Sequence, residues 1–273
     1  MQFFLLTVKN TKIILYILNN TLFIGKVFYS FNNLPSTNTY AVNLIKRQKV
    51  VEGSVIHAVS QTKGRGQQGS SWHSETNQNI TISIVLYPKF LRAMQQFELS
   101  RAVALGTAQF IKQILGDKVS LKWPNDIYVK DKKIGGILIE NSITGQYLNS
   151  AVVGIGINVN QTNFPKSLPN PTSLQCENGQ AFEVLNLIEK LCHQIEKQYL
   201  RLKNNHFKAI KMEYEANLYR FEEYAFYEIV KTKTNIFAKI IGTTDVGKLI
   251  LESRYELDKH QKPVSYIFDL KEI

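Results

Sequence analysis

The sequence predicts an α+β protein in which a mixed or antiparallel sheet packs with helices and a small all-β domain follows. Two observations carry this prediction. Strand-like runs, then helices, then strands succeed one another along the 273 residues, without the strict strand–helix alternation of a doubly wound fold. From Glu222 onward the chain consists of short β-like runs separated by turn residues, which is typical of a small barrel or sandwich.

The main domain begins with a predicted helix. Ser36 or Thr37 is expected to act as its N-cap, because a hydroxyl oxygen accepts a bond from an unpaired backbone N–H. Ala41, Leu44 and Ile45 then recur at helical spacing. The later elements are expected to be strands over 54–60 and 79–87, a helix over 95–115, short β-runs up to residue 160 with a hairpin turn at 130–133, and helices over 181–203 and up to about 218.

We expect an N-terminal extension over residues 1–23, a main domain over 24–220 and the all-β domain over 221–273. The longest apolar run of the extension, Ile13 to Leu18, is far shorter than the roughly 20 residues that span a bilayer. No secretory signal is recognisable. Two cysteines, Cys176 and Cys192, make no disulfide or zinc pattern. These features favour a cytoplasmic protein without a membrane anchor or structural metal.

The composition suits a globular protein with a basic surface. Apolar residues make up 44% of the chain, and its formal net charge is +11. A basic surface can attract nucleotides, nucleic acid or an acidic partner, or can simply be solvated. The lysines are scattered and form no basic arm of the kind that binds nucleic acid.

A glycine-rich stretch, "QTKGRGQQGSSW" (61–72), places three glycines around Arg65. Glycine lets a backbone approach a ligand closely, successive N–H groups in such a loop can bind an anion, and arginine adds a fixed fork for phosphate or carboxylate. A mobile hairpin loop is the alternative interpretation. The stretch matches neither a P-loop nor a Rossmann fingerprint, because a strand and not a helix follows it.

Three further stretches interrupt strands with polar or glycine residues. "LKWPNDIYV" (121–129) holds a lysine for phosphate and an aspartate for magnesium, or forms only a Pro-Asn-Asp turn. "KKIGGILIE" (132–140) has two glycines that weaken a strand. Its Lys133 is expected to point either into a pocket or to solvent. "VVGIGINVN" (152–160) is a glycine-rich core strand, or a surface on which a ligand lies.

In this order the motifs resemble the biotin–protein ligases. The resemblance rests on "STN" (36–38), "GRGQQGSSW" (64–72), "KWPND" (122–126), "KIGGILIE" (133–140) and "GIGINVN" (154–160), and extends over roughly residues 24–273. It implies a class II synthetase-like biotin/lipoate ligase domain that binds biotin and ATP, followed by a small SH3-like β-barrel. It also implies ATP and biotin as substrates, Mg²⁺, and a biotin carboxyl carrier protein as the acceptor.

The family reaction has two steps. The carboxylate of biotin attacks the α-phosphate of ATP to give biotinyl-5′-AMP and pyrophosphate, and an acceptor lysine then displaces AMP. Two anions meet in the first step, so fixed positive charge is needed where negative charge develops. The resemblance implies that Arg65 and Lys133 supply this charge.

The resemblance also assigns the binding residues. On the biotin side it implies Ser36, Thr37, Asn38, Gln61, Gly64, Arg65, Lys133, Gly135 and Gly136. On the nucleotide side it implies Trp72, Lys122, Asn125, Asp126 and Asn158, with Asp126 also a magnesium ligand.

Two departures from the family pattern stand out. Gln67 occupies the place of a second loop arginine, which weakens the expected hold on the adenylate, and the C-terminal domain lacks a "GGEIS"-like segment. The first residues are too few for the helix-turn-helix of some relatives, so we expect no specific DNA binding. A monomer and a homodimer both remain open.

Two alternative functions remain at this point. Lipoate or octanoyl ligases share the superfamily, although their arginine- and glycine-rich motif is absent. A non-catalytic nucleotide- or RNA-binding protein would show aromatic and basic residues alternating on the β domain. Tyr224, Phe226 and Tyr227 cluster there, and we interpret them as core residues.

Overall fold

The computed structural model describes residues 2–8, 11–18, 20–257 and 263–269. The strands of the main sheet are β1 Gln2–Val8, β2 Thr11–Ile17, β3 Phe28–Leu34, β4 Val55–Gln61, β5 Asn79–Leu86, β6 Val119–Lys122, β7 Asp126–Val129, β8 Lys132–Thr144 and β9 Tyr147–Asn158. Within the described ranges they lie in the order β1-β2-β3-β4-β5-β9-β8-β7-β6. Strands β3 and β4 pair in parallel, and the other neighbours pair antiparallel. The predicted mixed sheet is confirmed.

Helices cover both faces of this sheet. They are α1 Thr37–Arg47, α2 Gln96–Leu115, α3 Leu174–Asn178, α4 Val184–Lys203 and α5 Phe207–Ala216. Ser36 caps α1, because its Oγ accepts a bond from the Thr39 N–H at 3.4 Å. The larger core includes residues of α2 and α4 with Ile80, Ile82 and Ile84 of β5, and a smaller core lies under α1. Strand β5 is therefore buried on both faces.

The first residues extend the sheet at one edge. Strand β1 pairs with β2, and β2 pairs with β3 through Ile14–Ser30, Leu15–Tyr29 and Tyr16–Phe28. The segment expected as an N-terminal extension thus continues the main sheet by backbone pairing. In the part of the chain that the structure describes, no helix is long and apolar enough to cross a bilayer.

The C-terminal strands form a second sheet. Its strands are β10 Tyr224–Ile229, β11 Thr234–Thr243, β12 Leu249–Leu257 and β13 Pro263–Phe268. Among the described residues each strand pairs with its chain neighbours only, so the sheet is an open meander. The SH3-like barrel is therefore not confirmed. Short strands and turns predict the strands themselves, whereas closure requires a pairing between first and last strands that no local pattern encodes.

The interpretation of Tyr224 and Phe226 as core residues is wrong. Both project from the outer face of β10 and are exposed, Phe226 by 74% of its surface. Tyr227 alternates with them onto the inner face and packs against the core. Successive strand residues point to opposite faces, so three clustered aromatics on one strand cannot all be buried by one core.

A buried arginine of α2 is hydrogen-bonded to the second sheet. Arg101 of α2 is fully buried and donates from its two terminal nitrogens to Glu98 Oε1 at 2.5 Å, Thr243 Oγ1 at 2.9 Å and the Thr244 carbonyl at 2.8 Å. In addition, the indole N–H of Trp123 donates to the carbonyl of Gly247 at 2.9 Å. The β11–β12 turn is thereby held against α2 and against the connection between β6 and β7.

Candidate functional site

A cavity of about 560 Å³ lies where these elements converge. Its walls come from the start of α1, the glycine loop, residues of β8 and β9, the β6–β7 connection and residues of the C-terminal sheet. Eleven of the binding residues that the resemblance implies line it, namely Ser36, Thr37, Asn38, Gln61, Arg65, Trp72, Lys122, Asn125, Asp126, Lys133 and Gly136.

Gly135 and Gly64 do not line the cavity. A Cβ on Gly135 would meet Ile157 and Ile127 on the core side of the sheet, whereas a Cβ on Gly136 would meet Trp72, Asp126 and Lys133. Gly64 closes the loop by accepting a bond from the Trp72 N–H at 3.0 Å. A side chain there would collide with the Trp72 carbonyl.

Asn158 also lies outside the cavity. Its side chain is buried, and its Nδ2 donates to the carbonyl of Thr172 at 2.9 Å. The Thr172 N–H in turn donates to the Lys133 carbonyl at 2.9 Å, and the Lys133 N–H donates to the carbonyl of Asn170 at 2.8 Å. Asn158 thus holds the segment that fixes the backbone of Lys133, and does not face the cavity itself.

Polar groups at the start of α1 are tightly ordered. Gln61 Oε1 accepts from the Thr37 N–H at 2.8 Å. The buried Ser83 Oγ lies 2.8 Å from Thr37 Oγ1 and 2.5 Å from Asn38 Oδ1. Asn38 Nδ2 donates to the Leu138 carbonyl at 3.2 Å and to Glu140 Oε2 at 3.0 Å. These bonds hold the polar groups at one end of the cavity in fixed directions.

Arg65 forms a bidentate pair with Glu140. Its two terminal nitrogens donate to Glu140 Oε2 and Oε1, both at 3.0 Å, and one of them lies 3.5 Å from Thr39 Oγ1. The pair is exposed to solvent, with 45% of the Arg65 side chain accessible. Exposed pairs contribute about 0–1 kcal/mol, so an incoming anion can take the place of the Glu140 carboxylate.

Two further cations of the cavity, Lys133 and Lys122, lie around β7. Lys133 Nζ is 2.7 Å from Asp126 Oδ1. Lys122 Nζ donates to the Tyr128 hydroxyl at 3.2 Å and lies 4.8 Å from the centre of that ring. Asn125 Nδ2 donates to the carbonyl of Ile137 at 2.9 Å, so its side chain ties the "KWPND" turn to β8.

Glycines of β9 form the floor of the cavity. A Cβ on Gly154 would lie 2.2 Å from Asn38 Oδ1, and a Cβ on Gly156 would lie 2.4 Å from Cε2 of Trp72. The Trp72 ring therefore rests directly on the strand. Its Nε1 is buried and has no hydrogen-bond partner among the described residues, so a ligand acceptor would satisfy it.

Several site residues were not singled out from the sequence. Glu140 and Ser83 support predicted residues, whereas Thr81, Tyr219 and Arg220 line the cavity directly. Phe226 and Tyr227, which were interpreted from the sequence as core residues, also line it. The alternating glycines of "GIGINVN" (154–160) indicated that this strand could form a ligand-bearing surface, but not which other residues lie beside it. No local pattern marks the residues around 220, because they reach the cavity through the packing of the second sheet.

Comparisons with known proteins agree on one family. The model of the Biotin/lipoate A/B protein ligase family matches residues 30–158. The chain is 30% identical over 233 residues to the bifunctional ligase/repressor BirA of Bacillus subtilis, covering 84% of this chain and 70% of that protein. It is 29% identical over 227 residues to the biotin–[acetyl-CoA-carboxylase] ligase of Paracoccus denitrificans, covering 80% and 92%.

A solved structure of a biotin protein ligase is also similar to this chain. The biotin protein ligase of Aquifex aeolicus in complex with biotin and ATP superposes with a TM-score of 0.71 at 26% identity, covering 90% of this chain and 96% of that one. The motifs, the mixed sheet and these relatives together identify the chain as a member of the biotin–protein ligases within the biotin/lipoate A/B protein ligase family.

Proposed function

We propose that this protein is an ATP-dependent biotin–protein ligase. The observation that carries the proposal is a cavity in which Arg65, Lys122 and Lys133 surround a glycine floor, with ordered polar groups at one end. Relatives named biotin ligases, and a structural relative in complex with biotin and ATP, support these two substrates.

In the proposed first step, a biotin carboxylate oxygen attacks the α-phosphorus of ATP. The bond between the α-phosphorus and the bridging oxygen breaks, and pyrophosphate leaves. Arg65 exchanges Glu140 for the anionic ligand, and Lys133 faces the same space while holding Asp126 at 2.7 Å. These cations offset charge on the pentavalent phosphate, and positioning supplies most of the catalysis.

In the proposed second step, a neutral lysine amine of the acceptor attacks the acyl carbon of biotinyl-5′-AMP. The acyl–oxygen bond breaks, AMP leaves, and the amine loses its proton as the amide forms. We propose a biotin carboxyl carrier protein as the acceptor. The named activity of the Paracoccus relative, which is a biotin–[acetyl-CoA-carboxylase] ligase, supports this choice.

The ordered polar end suits the ring system of biotin. A ureido group needs both donors and acceptors, and Ser36, Thr37 and Gln61 provide them on the cavity wall. Gly154 and Gly156 let the Asn38 side chain and the Trp72 ring lie directly against β9, so that these two side chains face the ligand from the cavity floor. We place the nucleotide toward Lys122, Asp126 and the residues around 220.

Magnesium fits this site as an ion carried by the nucleotide. Asp126 is the carboxylate among the lining residues, and the described residues include no cluster of three or more His, Cys, Asp or Glu side chains that could hold a metal. Mg²⁺ is commonly bound by one or two carboxylates together with substrate phosphates. Asp126 would hold the ion, which would neutralise phosphate charge.

Transfer of labelled biotin to a carrier domain tests the proposed function. Lys133→Ala and Arg65→Ala should each lower the rate by about 10²-fold or more, because removing one group that stabilises transition-state charge costs about 3–4 kcal/mol. Lys49→Ala, at an exposed position outside the cavity, should transfer biotin at the wild-type rate. Normal transfer by Lys133→Ala would disprove its role.

One observation favours a second candidate function. Tyr224, Phe226, Phe237 and Tyr255 line the outer face of the second sheet, and the Arg254 guanidinium lies within 5.8 Å of three of these rings. Such aromatic–basic surfaces can stack single-stranded nucleic acid. Salt-sensitive RNA binding without biotin-dependent ATP–pyrophosphate exchange would favour this function over the ligase.

A further inference from the structure

We propose that Arg220 binds the β- and γ-phosphates of the nucleotide and stabilises pyrophosphate as it leaves. The inference rests on the proposed ligase function and adds a residue to its site. Arg220 belongs to the segment that connects α5 to the second sheet. None of the sequence motifs includes it.

The position of Arg220 is defined by the aromatic wall of the cavity. Arg220 lines the cavity together with Tyr219, Phe226 and Tyr227. Its guanidinium carbon lies 5.1 Å from the centre of the Tyr219 ring. The Tyr219 hydroxyl donates to Asp131 Oδ1 at 2.5 Å. The ring is thereby held in place, and Arg220 lies over a fixed platform at the cavity wall.

The charges of the cavity leave Arg220 available for an anion. Among the residues that the structure describes, four cations line the cavity. Arg65 pairs with Glu140, and Lys133 pairs with Asp126. For the other two, Lys122 and Arg220, no carboxylate of the described residues lies within the 4.0 Å of a salt bridge. This unbalanced positive charge calls for a polyanion, and a nucleoside triphosphate is the polyanion of the proposed reaction.

The backbone of the segment is fixed in an unusual conformation. Arg220 and Glu222 both have a φ of 58°, in the left-handed region that residues other than glycine seldom adopt. The Tyr219 N–H donates to the Leu121 carbonyl at 2.8 Å, and the Glu222 N–H donates to the Ile240 carbonyl at 2.9 Å. Residues held in such conformations by their surroundings cluster at functional sites. Here the two bonds anchor Arg220 between β6 and β11.

The chemistry favours an arginine at this point. Its planar fork can bind two phosphate oxygens at once, which adds direction to charge attraction. During adenylation, negative charge accumulates on the oxygen that leaves with the β-phosphate. A cation at the far end of the triphosphate therefore acts in the first step, and has no partner in the second step because pyrophosphate has departed.

The test compares the two half-reactions in Arg220→Asn and Arg220→Gly. Asparagine and glycine both tolerate a positive φ, so these changes remove the guanidinium while the backbone is retained. In biotin-dependent ATP–pyrophosphate exchange, KM for ATP and for pyrophosphate should rise by about tenfold or more, with an unchanged KM for biotin. Transfer from supplied biotinyl-5′-AMP to the carrier domain should proceed at the wild-type rate.

Two controls distinguish a lost phosphate contact from a general loss of charge or of folded structure. Arg47→Asn, at an exposed position outside the cavity, should keep every constant, and thermal unfolding of each variant should match the wild type. Wild-type KM values for ATP and pyrophosphate in Arg220→Asn would disprove the inference and leave the ligase function intact. Equal losses in both half-reactions would likewise overturn it, since pyrophosphate takes part in only one of them. A wild-type protein without biotin-dependent exchange would overturn the ligase function itself.

Discussion

Arg65 illustrates how one residue in the site depends on a partner from a distant motif. Its charge is balanced by Glu140, which also accepts a bond from Asn38 at 3.0 Å. The glycine loop is thereby attached to β8 through a solvent-exposed pair. In the proposed reaction, the anionic ligand would replace the Glu140 carboxylate at Arg65. The residue type was predictable from the motif, whereas its pairing with Glu140 was not, because 75 residues separate them in the chain.

Gln67 offers a direct test of whether this loop retains the intermediate. It lines the cavity and brings no charge. Gln67→Arg should slow the release of biotinyl-5′-AMP into solution when no acceptor is present, because a second loop cation would attract the adenylate phosphate. Gln113→Arg adds the same charge at an exposed position of α2 and should leave release unchanged. An unchanged release rate in Gln67→Arg would show that the loop does not close over the adenylate.

His57 predicts a pH dependence of stability. Its side chain is buried beside Ser30, and burial lowers the pKa of His57 to about 4, from about 6.5 in an unfolded chain. The folded state thus favours the neutral ring. The contribution of His57 to the free energy of unfolding is therefore fully present above pH 6.5 and is lost as the pH falls toward 4. The loss should be on the order of 3 kcal/mol.

Chemical denaturation at several pH values measures this effect. His57→Gln should flatten the decline in the free energy of unfolding between pH 6.5 and 4. His73→Gln, at an exposed histidine in the glycine-loop region, should retain the wild-type slope. A wild-type slope in His57→Gln would mean that other groups cause the decline.

At the level of elements, β8 and β9 determine the shape of the site. Sequence alternation predicted β5 and the long helix α2 correctly, and the cap at Ser36 fixed the start of α1. The resemblance implied both Gly135 and Gly136, and of the two only Gly136 lines the cavity. Which glycine faces the cavity depends on the register of β8 against β7. This register shifts between Ile127 and Tyr128, and no local pattern encodes that irregularity.

Strand β9 gives a prediction about packing under the site. Gly154→Ala should lower the free energy of unfolding by about 1–3 kcal/mol, because overpacking a closely packed position costs that much and the new Cβ would lie 2.2 Å from Asn38 Oδ1. Urea denaturation measures the change. In an Asn38→Ala background most of this cost should disappear, since the colliding atom is gone. The same cost in both backgrounds would rule out this contact as its cause.

Across the whole molecule, the two sheets build one site together. Residues 24–220 were expected to contain the site, yet Phe226, Tyr227, Ile240 and Leu249 of the second sheet also line the cavity. The hydrogen bond from Arg101 to Thr243 and the hydrogen bond from Trp123 to Gly247 hold that sheet in place. Short local motifs predicted the family and much of the cavity, but contacts between distant segments of the chain determine how the domains share it.

The buried contacts of Arg101 predict a large loss of stability when this residue is replaced. Arg101→Met should lower the free energy of unfolding by about 3–5 kcal/mol, because it leaves a buried acidic partner without its counter-charge. Burial raises the pKa of Glu98, and the charge of Arg101 acts in the opposite direction, so removing Arg101 further disfavours the ionised carboxylate. The double change Glu98→Gln with Arg101→Met should recover part of the loss in urea denaturation. A loss below about 1 kcal/mol, the value of an exposed pair, would contradict a stabilising role for the buried Arg101–Glu98 pair.

The choice of acid in adenylation is the most decisive property of this protein to measure. Biotin-dependent exchange of labelled pyrophosphate into ATP reports the first half-reaction without needing an acceptor protein. We predict exchange with biotin, little or none with lipoate or octanoate, and loss of exchange in Lys133→Ala. Exchange driven by lipoate or octanoate in preference to biotin, or no exchange with any of the three acids, would contradict a biotin–protein ligase.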